Sequence, residues 1–259
     1  MIESGTTTMK QKQRETADIE TSSDDYAARF SGAVGEWFLA VQEGVTVSML
    51  ADCPGASVLD VGGGHGQLAG PLCRRGFPVT VLGSDESCRH RIDGLVKSGA
   101  CRFVAGNVLE LPFPDQSFDV VMSFRFLPHC EAWPALIREL SRVARQSVIV
   151  DYPTSQGLNA IAPALFGAKK KLEGNTREWR MFRHAEVDDV FSGNGFALKR
   201  RAPQFFLPMV LHRALRCRGL SAGMEAVCRG LGLTRLWGSP VIAEYVRQEK
   251  EHRTANIQD

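Results

Sequence analysis

The feature that most constrains the fold is the segment VLDVGGGHG, residues 58–66, in which an apolar run ends abruptly in glycines. The run suits a buried strand, and a helical pattern follows it over residues 68–75. Glycine alone allows both the φ values of such a sharp turn and the close approach of a ligand to the backbone. Asp60, at the end of the strand, can accept a hydrogen bond from a cationic amine. The segment therefore predicts a strand–turn–helix unit that binds a ligand.

Strands and helices continue to alternate along the chain. The predicted strands are 57–61, 78–82, 102–105, 118–123, 147–150, 197–204 and 241–246. Further helices are predicted at 87–97, from Pro134 onward, and at 185–193. This alternation is typical of right-handed βαβ crossovers. We therefore expect an α/β fold with a doubly wound, mostly parallel, seven-stranded sheet and helical inserts at its carboxyl edge.

The domain organisation follows from where apolar residues begin and where the alternation breaks. Residues 1–22 are polar and predict a disordered tail, whereas residues 23–259 predict a single domain that opens with a helical cap at 24–52. Two stretches, 152–184 and 205–238, are too long for plain loops, so we expect lid-like inserts with helices of their own. Both follow strands of the parallel set and should emerge where open α/β sheets bind their ligands.

Composition argues against several classes of protein. A net charge of +2 from 31 basic and 29 acidic residues leaves no dense basic stripe for nucleic acid. No apolar run reaches the length of roughly 18 residues that crosses a bilayer, and the first twenty residues lack a signal-peptide core. Seven cysteines without C-x-x-C spacing favour neither a disulfide framework nor a zinc site. We expect a cytoplasmic protein without a structural metal.

The glycine loop alone leaves several interpretations open. Gly64, Gly66 and Ala69 fit the dinucleotide fingerprint G-x-G-x-x-A, and Asp85 follows 21 residues after Gly64. A nicotinamide-dependent oxidoreductase is therefore compatible with the loop, and so is a turn with a purely structural role.

The sequence around the loop separates these interpretations. Asp60 stands two residues before the first glycine, Asp85 closes the second strand, and the stretches GNV (106–108) and LPFPDQSFDVVMS (111–123) follow. Together these features resemble class I S-adenosylmethionine-dependent methyltransferases, and more narrowly the branch that contains the ubiquinone/menaquinone-biosynthesis C-methyltransferases. The resemblance covers residues 57–151. It implies a Rossmann-like fold and methyl transfer from S-adenosyl-L-methionine to a small, hydrophobic, quinone-like or phenolic molecule, with a non-catalytic binding relative as the alternative.

The resemblance also implies which residues hold the cofactor. They are Asp60, Gly62, Gly64, His65 and Gly66 for the methionine part, Asp85 for the ribose hydroxyls, Asn107 and Val108 for adenine, and Ser123 for the sulfonium end. Many relatives have aspartate at the position of Asn107. An amide oxygen can still accept from the adenine amino group, so the expected cofactor is unchanged.

Catalytic and acceptor residues are predicted from their places after the strands and in the cap. His129 and Tyr152 follow the fourth and fifth strands and are candidate general bases, although either can be structural, and His184 fits a helix start better. The N-terminal aromatic residues resemble the aromatic helices that close over cofactor and acceptor in this superfamily, which makes Tyr26, Phe30 and Trp37 candidate acceptor contacts. Arg125 is a further candidate, since it can orient an anionic acceptor. The aromatic residues can equally pack on the sheet, and Arg125 can equally be a solvated surface residue.

The second insert has an unusual distribution of charge. In QFFLPMVLHRALRCRGL, residues 204–220, an apolar face lies opposite a basic one. Such a segment can lie on an anionic membrane, wall a lipophilic pocket, or pack as an ordinary core helix. The expected partners are therefore a small-molecule acceptor and, through this insert, a peripheral membrane surface.

Overall fold

The computed structural model describes residues 14–157 and 179–248. Its strands are β1 Val58–Val61, β2 Val79–Gly83, β3 Cys101–Ala105, β4 Phe118–Ser123, β5 Ala144–Tyr152, β6 Phe196–Pro203 and β7 Val241–Arg247. They form one sheet of order β3-β2-β1-β4-β5-β7-β6, in which β7 runs antiparallel to both neighbours and the other pairs are parallel. The predicted seven-stranded, mostly parallel sheet is confirmed.

Helices cover both faces of this sheet. The helices are α1 Ala17–Thr21, α2 Asp24–Ala28, α3 Gly32–Leu50, α4 Ala69–Arg74, α5 Asp93–Lys97, α6 Trp133–Val143, α7 His184–Gly193, α8 Met209–Leu215, α9 Arg218–Gly230 and α10 Leu233–Trp237. Side chains of α6 and α7 share one buried cluster with the sheet, and side chains of α3 and α4 share the other. All of β1 is buried, which explains its nearly continuous apolar sequence.

The strand ends differ from the predicted ones by a few residues, most of all in β5. This strand is longer than predicted because it pairs with β7 from Ser147 to Tyr152 and with β4 from Ala144. The helix predicted at 87–97 is divided into a 3₁₀ segment, Glu86–Ile92, and α5.

The N-terminal residues differ from the predicted disordered tail, which was expected to extend through residue 22. Residues 17–21 form α1, and the side chains of Ala17 and Asp18 are buried. The reason is tertiary: the Asp18 carboxylate accepts hydrogen bonds from the amide and the hydroxyl of Ser84, at the end of β2. Residues 1–13 lie outside the described residues. The predicted cap, residues 24–52, corresponds to α2 and α3.

The second insert carries α8, α9 and α10, whereas most of the first, residues 158–178, lies outside the described residues. The second insert is fixed from within by a buried pair, since His212 Nε2 lies 3.1 Å from Glu225 Oε1. Glu225 also accepts from the backbone amides of Phe206 and Leu207. Within residues 14–157 and 179–248, no helix has both the length and the hydropathy to cross a membrane.

Candidate functional site

The glycine turn after β1 lies at the centre of the carboxyl edge. Gly62 and Gly66 have φ values of +77° and +73°, and between them residues 63–65 form one turn of 3₁₀ helix. A side chain at either position would be strained, because this left-handed conformation suits glycine. The Gly62 amide donates to the Leu82 carbonyl, which ties the turn to β2. The result is a fixed turn of bare backbone at the point predicted from the sequence.

Two buried carboxylates lie beside this turn. Asp60 is fully buried, and neither of its carboxylate oxygens has a hydrogen-bond partner in the protein. Burial, reinforced by the negative charge of Asp151, raises the pKa of Asp60 to about 7. Burial likewise raises the pKa of Asp151 to about 6, although its Oδ1 accepts from the amide of Arg125 at 2.6 Å. Unpartnered buried carboxylate oxygens are costly, so Asp60 is a strong candidate for binding a cationic ligand.

Arg125 is enclosed by residues of α3, of β5 and of the turn between α2 and α3. Its backbone has a φ of +59°, a conformation that is uncommon outside glycine, and the hydrogen bond from its amide to Asp151 holds that conformation. Its Nη2 donates to Gln42 Oε1 at 2.7 Å, and its guanidinium lies 3.7 Å from the centroid of the Phe30 ring. Its Nη1 is buried without a hydrogen-bond partner. The alternative of a solvated surface arginine is therefore wrong.

Aromatic side chains of α2, of α3 and of the turn between them form the cap above this edge. Tyr26, Phe30 and Phe38 are buried together with Phe205, which belongs to the second insert. Trp37 packs against Phe205 with ring centroids 5.1 Å apart. The cap thus joins the N-terminal helices to the second insert. Phe30 lies between this apolar cluster and the Arg125 guanidinium, whereas Trp37 faces the insert.

The remaining predicted cofactor residues surround the same edge. His65 is buried, and burial together with the positive charge of Arg125 lowers its pKa to about 3, so its ring is neutral. Asp85 is exposed, and its Oδ1 accepts from the amide of Ser87. Val108 is buried, and Asn107 Oδ1 accepts from the amide of Leu109. Ser123 is also buried, and its hydroxyl donates to the carbonyl of Val61.

The N-terminal segment, residues 14–22, lies across this part of the edge. Asp18 accepts from the Ser84 amide at 2.6 Å, and Arg14 Nη2 donates to the Ser84 carbonyl at 3.0 Å. Ser22 lies so close to the glycine turn that a Cβ placed on Gly64 would come within 2.4 Å of its Oγ. A ligand that extended from the glycine turn to Asp85 would therefore require this segment to move. No pattern in the sequence distinguishes Asp18, because it lies in a polar stretch.

The two candidate bases have different surroundings. His129 ends a 3₁₀ turn, Leu127–His129, directly after β4 and is half-buried. Tyr152 points to the face of the sheet opposite Asp151, as the alternation of side chains along a strand requires. Its hydroxyl lies 3.0 Å from His184 Nδ1 and accepts from Arg201 Nε. These contacts favour a structural role for Tyr152, and His184 begins α7, as its sequence context indicated.

The side chains at this edge fit the methionine end of S-adenosylmethionine. The two unpartnered oxygens of Asp60 match the donors of an ammonium group, and the glycine turn offers backbone without side chains. At the nucleoside end, Asp85 lies at the same edge as an exposed carboxylate, but residues 14–22 cover the neighbouring backbone. The residues therefore fit the group, and its access depends on the N-terminal segment.

Comparisons with known proteins find similarity to methyltransferases. Residues 59–150 match the model of a family described as a methyltransferase domain. A fatty-acid O-methyltransferase of Mycolicibacterium smegmatis is 36% identical over 103 residues, which cover 37% of this chain and 35% of that protein. A phthiotriol/phenolphthiotriol dimycocerosates methyltransferase of Mycobacterium tuberculosis is 38% identical over 102 residues, or 36% of this chain and 34% of that protein. The chain thus spans about a third of the length of these relatives.

A solved structure shows the same fold over most of the chain. Magnesium protoporphyrin IX methyltransferase from Synechocystis PCC 6803, crystallised with bound SAH, aligns with 87% of this chain and 94% of its own. The TM-score is 0.58 and the sequence identity is 18%. The family match includes the glycine loop, so it favours the methyltransferase interpretation of that loop over the dinucleotide one. The narrower likeness to quinone-biosynthesis enzymes is not singled out by these comparisons.

Proposed function

Since the chain carries a class I S-adenosylmethionine-dependent methyltransferase domain, we propose that it transfers a methyl group from S-adenosylmethionine to a small hydrophobic molecule. The observation that carries this proposal is Asp60, a buried carboxylate without a protein partner beside a left-handed glycine turn. The named relatives act, by their names, on a fatty acid and on phthiotriol lipids. A lipid or lipid-like acceptor is therefore the broad class that we propose.

The bound cofactor supplies an electrophilic sulfonium methyl group, so the protein's own task is to position the acceptor and exclude water. Such positioning contributes on the order of 7–11 kcal/mol. Asp60 and the glycine turn would hold the methionine part, with His65 beside them. Asp85 would hold the ribose hydroxyls. The remaining proposed contacts are Asn107 and Val108 for adenine and Ser123 for the sulfonium end.

We further propose that the acceptor is quinone-like or phenolic and that Arg125 contacts its oxygen. Nη1 of Arg125 is buried and unpartnered, so an acceptor oxygen with negative charge would satisfy it. Phe30 and Tyr26, next to this guanidinium, offer apolar surface for a ring or chain. A carboxylate acceptor would satisfy the same Nη1 atom, and methyl transfer to a fatty acid but not to a phenol would identify it.

A phenolic acceptor must lose its proton, and we propose His129 as the base. It is half-buried and lies directly after β4, at the edge that carries Asp60 and Ser123. Imidazole is the side chain best suited to exchange a proton near neutral pH. Tyr152, whose pKa is raised by burial, is the weaker candidate, because its hydroxyl is already bonded to Arg201.

Equilibrium binding tests the cofactor part of the proposal. Calorimetric titration should detect S-adenosylhomocysteine and should not detect NADH, and Asp60→Asn should abolish the first signal. Asp25→Asn, an exposed carboxylate on α2, is the matched control. Binding of NADH with no response to S-adenosylhomocysteine would instead establish the oxidoreductase alternative.

Labelled methyl transfer tests the catalytic part. A panel of a long-chain fatty acid, a long-chain phenol and a reduced quinone should yield one labelled product class. Arg125→Gln should raise the KM for that acceptor and leave the Kd of S-adenosylhomocysteine unchanged. His129→Gln should lower kcat for a phenol and flatten its pH profile. Tight cofactor binding without a labelled product from the panel or from a lipid extract would favour a non-catalytic binding protein.

A further inference from the structure

We propose that α9 and α10 form a docking surface for an anionic lipid bilayer. Seven of the ten exposed large hydrophobic residues of the described chain lie in the second insert. They are Val210, Leu211, Leu220, Val227, Leu231, Leu236 and Trp237. Contiguous apolar exposure of this kind marks an interaction surface rather than ordinary scatter.

Most of this surface follows one stripe of α9. Leu220, Met224, Val227 and Leu231 are spaced by four, three and four residues, so they fall on one side of the helix. Leu220, Val227 and Leu231 are 52%, 64% and 70% exposed. Leu236 and Trp237 of α10, a helix that contacts α9, are 62% and 45% exposed. An apolar stripe normally faces the core, but here it faces solvent.

The opposite side of α9 explains why the stripe cannot turn inward. Ser221 and Glu225 are buried, and Glu225 accepts from two backbone amides and lies 3.1 Å from His212 Nε2. His212 in turn packs edge-on against Trp37 in the cap, with ring centroids 5.3 Å apart. Rotating α9 to bury its leucines would break this buried pair. The apolar stripe is therefore held outward by polar contacts on the other side of the helix.

The charge of the second insert indicates which kind of partner this surface binds. Residues 205–243 contain five arginines and one acidic residue, a net charge of +4 in a chain whose total is +2. The acidic residue, Glu225, is buried, whereas Arg216, Arg218, Arg229 and Arg235 are exposed. An apolar stripe flanked by exposed arginines, without an exposed carboxylate in the same segment, is complementary to a bilayer that contains anionic lipids. Trp237 suits the interfacial layer of such a bilayer.

The position of this surface connects it to the candidate acceptor site. The insert that carries it also contributes Phe205, which packs against Trp37 and Phe38 of the cap. A bilayer in contact with α9 and α10 would therefore lie near the cap that covers Arg125. The docking surface is independent of the proposed reaction, because the exposed stripe and its charge do not depend on which acceptor is methylated.

Vesicle co-sedimentation with the full chain tests the surface. The wild type should pellet with mixed phosphatidylcholine–phosphatidylserine vesicles at low salt and remain in solution with phosphatidylcholine alone. Arg218→Gln/Arg235→Gln should weaken partitioning about thirtyfold, since each arginine near an anionic surface contributes about fivefold. Leu220→Gln/Val227→Gln/Leu231→Gln should weaken it at least about a hundredfold through lost apolar burial.

Matched controls separate docking from unfolding and from general charge effects. Arg74→Gln/Arg102→Gln also removes two exposed arginines, but from α4 and from β3 at the opposite edge of the sheet, and it should change partitioning less than about threefold. Circular dichroism and S-adenosylhomocysteine binding should be unchanged in every variant. Equal loss in the control pair, or no pelleting of the wild type, would overturn the proposal. Sedimentation of the wild type as a dimer that the triple glutamine variant dissociates would also overturn it, since the occupant would then be a second copy.

Discussion

Removal of the Asp18 carboxylate should strengthen cofactor binding. In the structure this carboxylate accepts from both the amide and the hydroxyl of Ser84, and with Arg14 it fastens residues 14–22 to the end of β2. Residues 14–22 cover the part of the edge between the glycine turn and Asp85. If the cofactor needs that backbone, every contact that holds the segment down opposes binding. Asp18→Ala removes two such contacts without altering the proposed cofactor residues.

The magnitude follows from the contacts that are lost. A hydrogen bond to a charged group stabilises a folded protein by about 1.5–3 kcal/mol, and the cost of burying the carboxylate offsets part of the sum for two such bonds. We therefore expect Asp18→Ala to destabilise the docked position of residues 14–22 by about 2 kcal/mol. Because 1.4 kcal/mol corresponds to a factor of ten, the population open to the cofactor should rise about thirtyfold while the docked state dominates. The apparent Kd should fall by the same factor.

Calorimetric titration with S-adenosylhomocysteine measures this change directly. Asp25→Ala, which removes an exposed carboxylate from α2, is the matched control and should leave the Kd within about twofold. Hydrogen exchange at the Ser84 amide should report the released segment, with faster exchange in Asp18→Ala before ligand is added. An unchanged or weaker affinity in Asp18→Ala would show that residues 14–22 do not compete with the cofactor, and a weaker one would mean that the segment closes over the bound cofactor.

Three further outcomes follow from the buried polar groups. The pKa of Asp60 is raised from 3.8 to about 7, so the free energy of unfolding of the ligand-free protein should fall as the pH rises across that interval. Asp60→Asn should remove this pH dependence when denaturant unfolding is compared at pH 5 and pH 8. Glu225→Gln should lower the free energy of unfolding by about 2–4 kcal/mol, because it removes a buried carboxylate that accepts from two backbone amides and contacts His212, whereas the exposed Glu36→Gln should be neutral in the same urea titration. Tyr152→Phe should change the methyl-transfer rate by less than about twofold and should lower the free energy of unfolding by about 1 kcal/mol, since the Tyr152 hydroxyl is bonded to Arg201. A large fall in kcat with an altered pH profile would instead indicate that Tyr152 acts as the base.

Much of the fold could be predicted from local patterns in the sequence. The strand before Gly62 is apolar except for Asp60 because helices cover both faces of the sheet, and Gly62 and Gly66 after it have the positive φ values that the glycine cluster indicated. The antiparallel direction of β7 was not readable. Val241–Arg247 has the same apolar composition as the parallel strands, and its direction depends on how the insert before it returns to the sheet.

The residues of the candidate site also differ in how well the sequence predicts them. Asp60 and Asp85 were identifiable because strand ends and glycine turns are local features. Arg125 was ambiguous in the sequence, and its burial against Phe30 and Gln42 depends on the packing of α2 and α3. Asp151 lies at the end of β5, so the rule that strand ends carry functional groups would have identified it.

Local sequence patterns specify the order and type of the elements and the place of the glycine turn. These depend on periodicity and on backbone freedom, both of which are properties of neighbouring residues. Tertiary packing, in contrast, brings Asp18 to Ser84, encloses Arg125 and leaves the apolar stripe of α9 facing solvent. Each of these depends on which distant groups meet, since a polar or apolar side chain acquires its role from the partners that burial gives it or withholds.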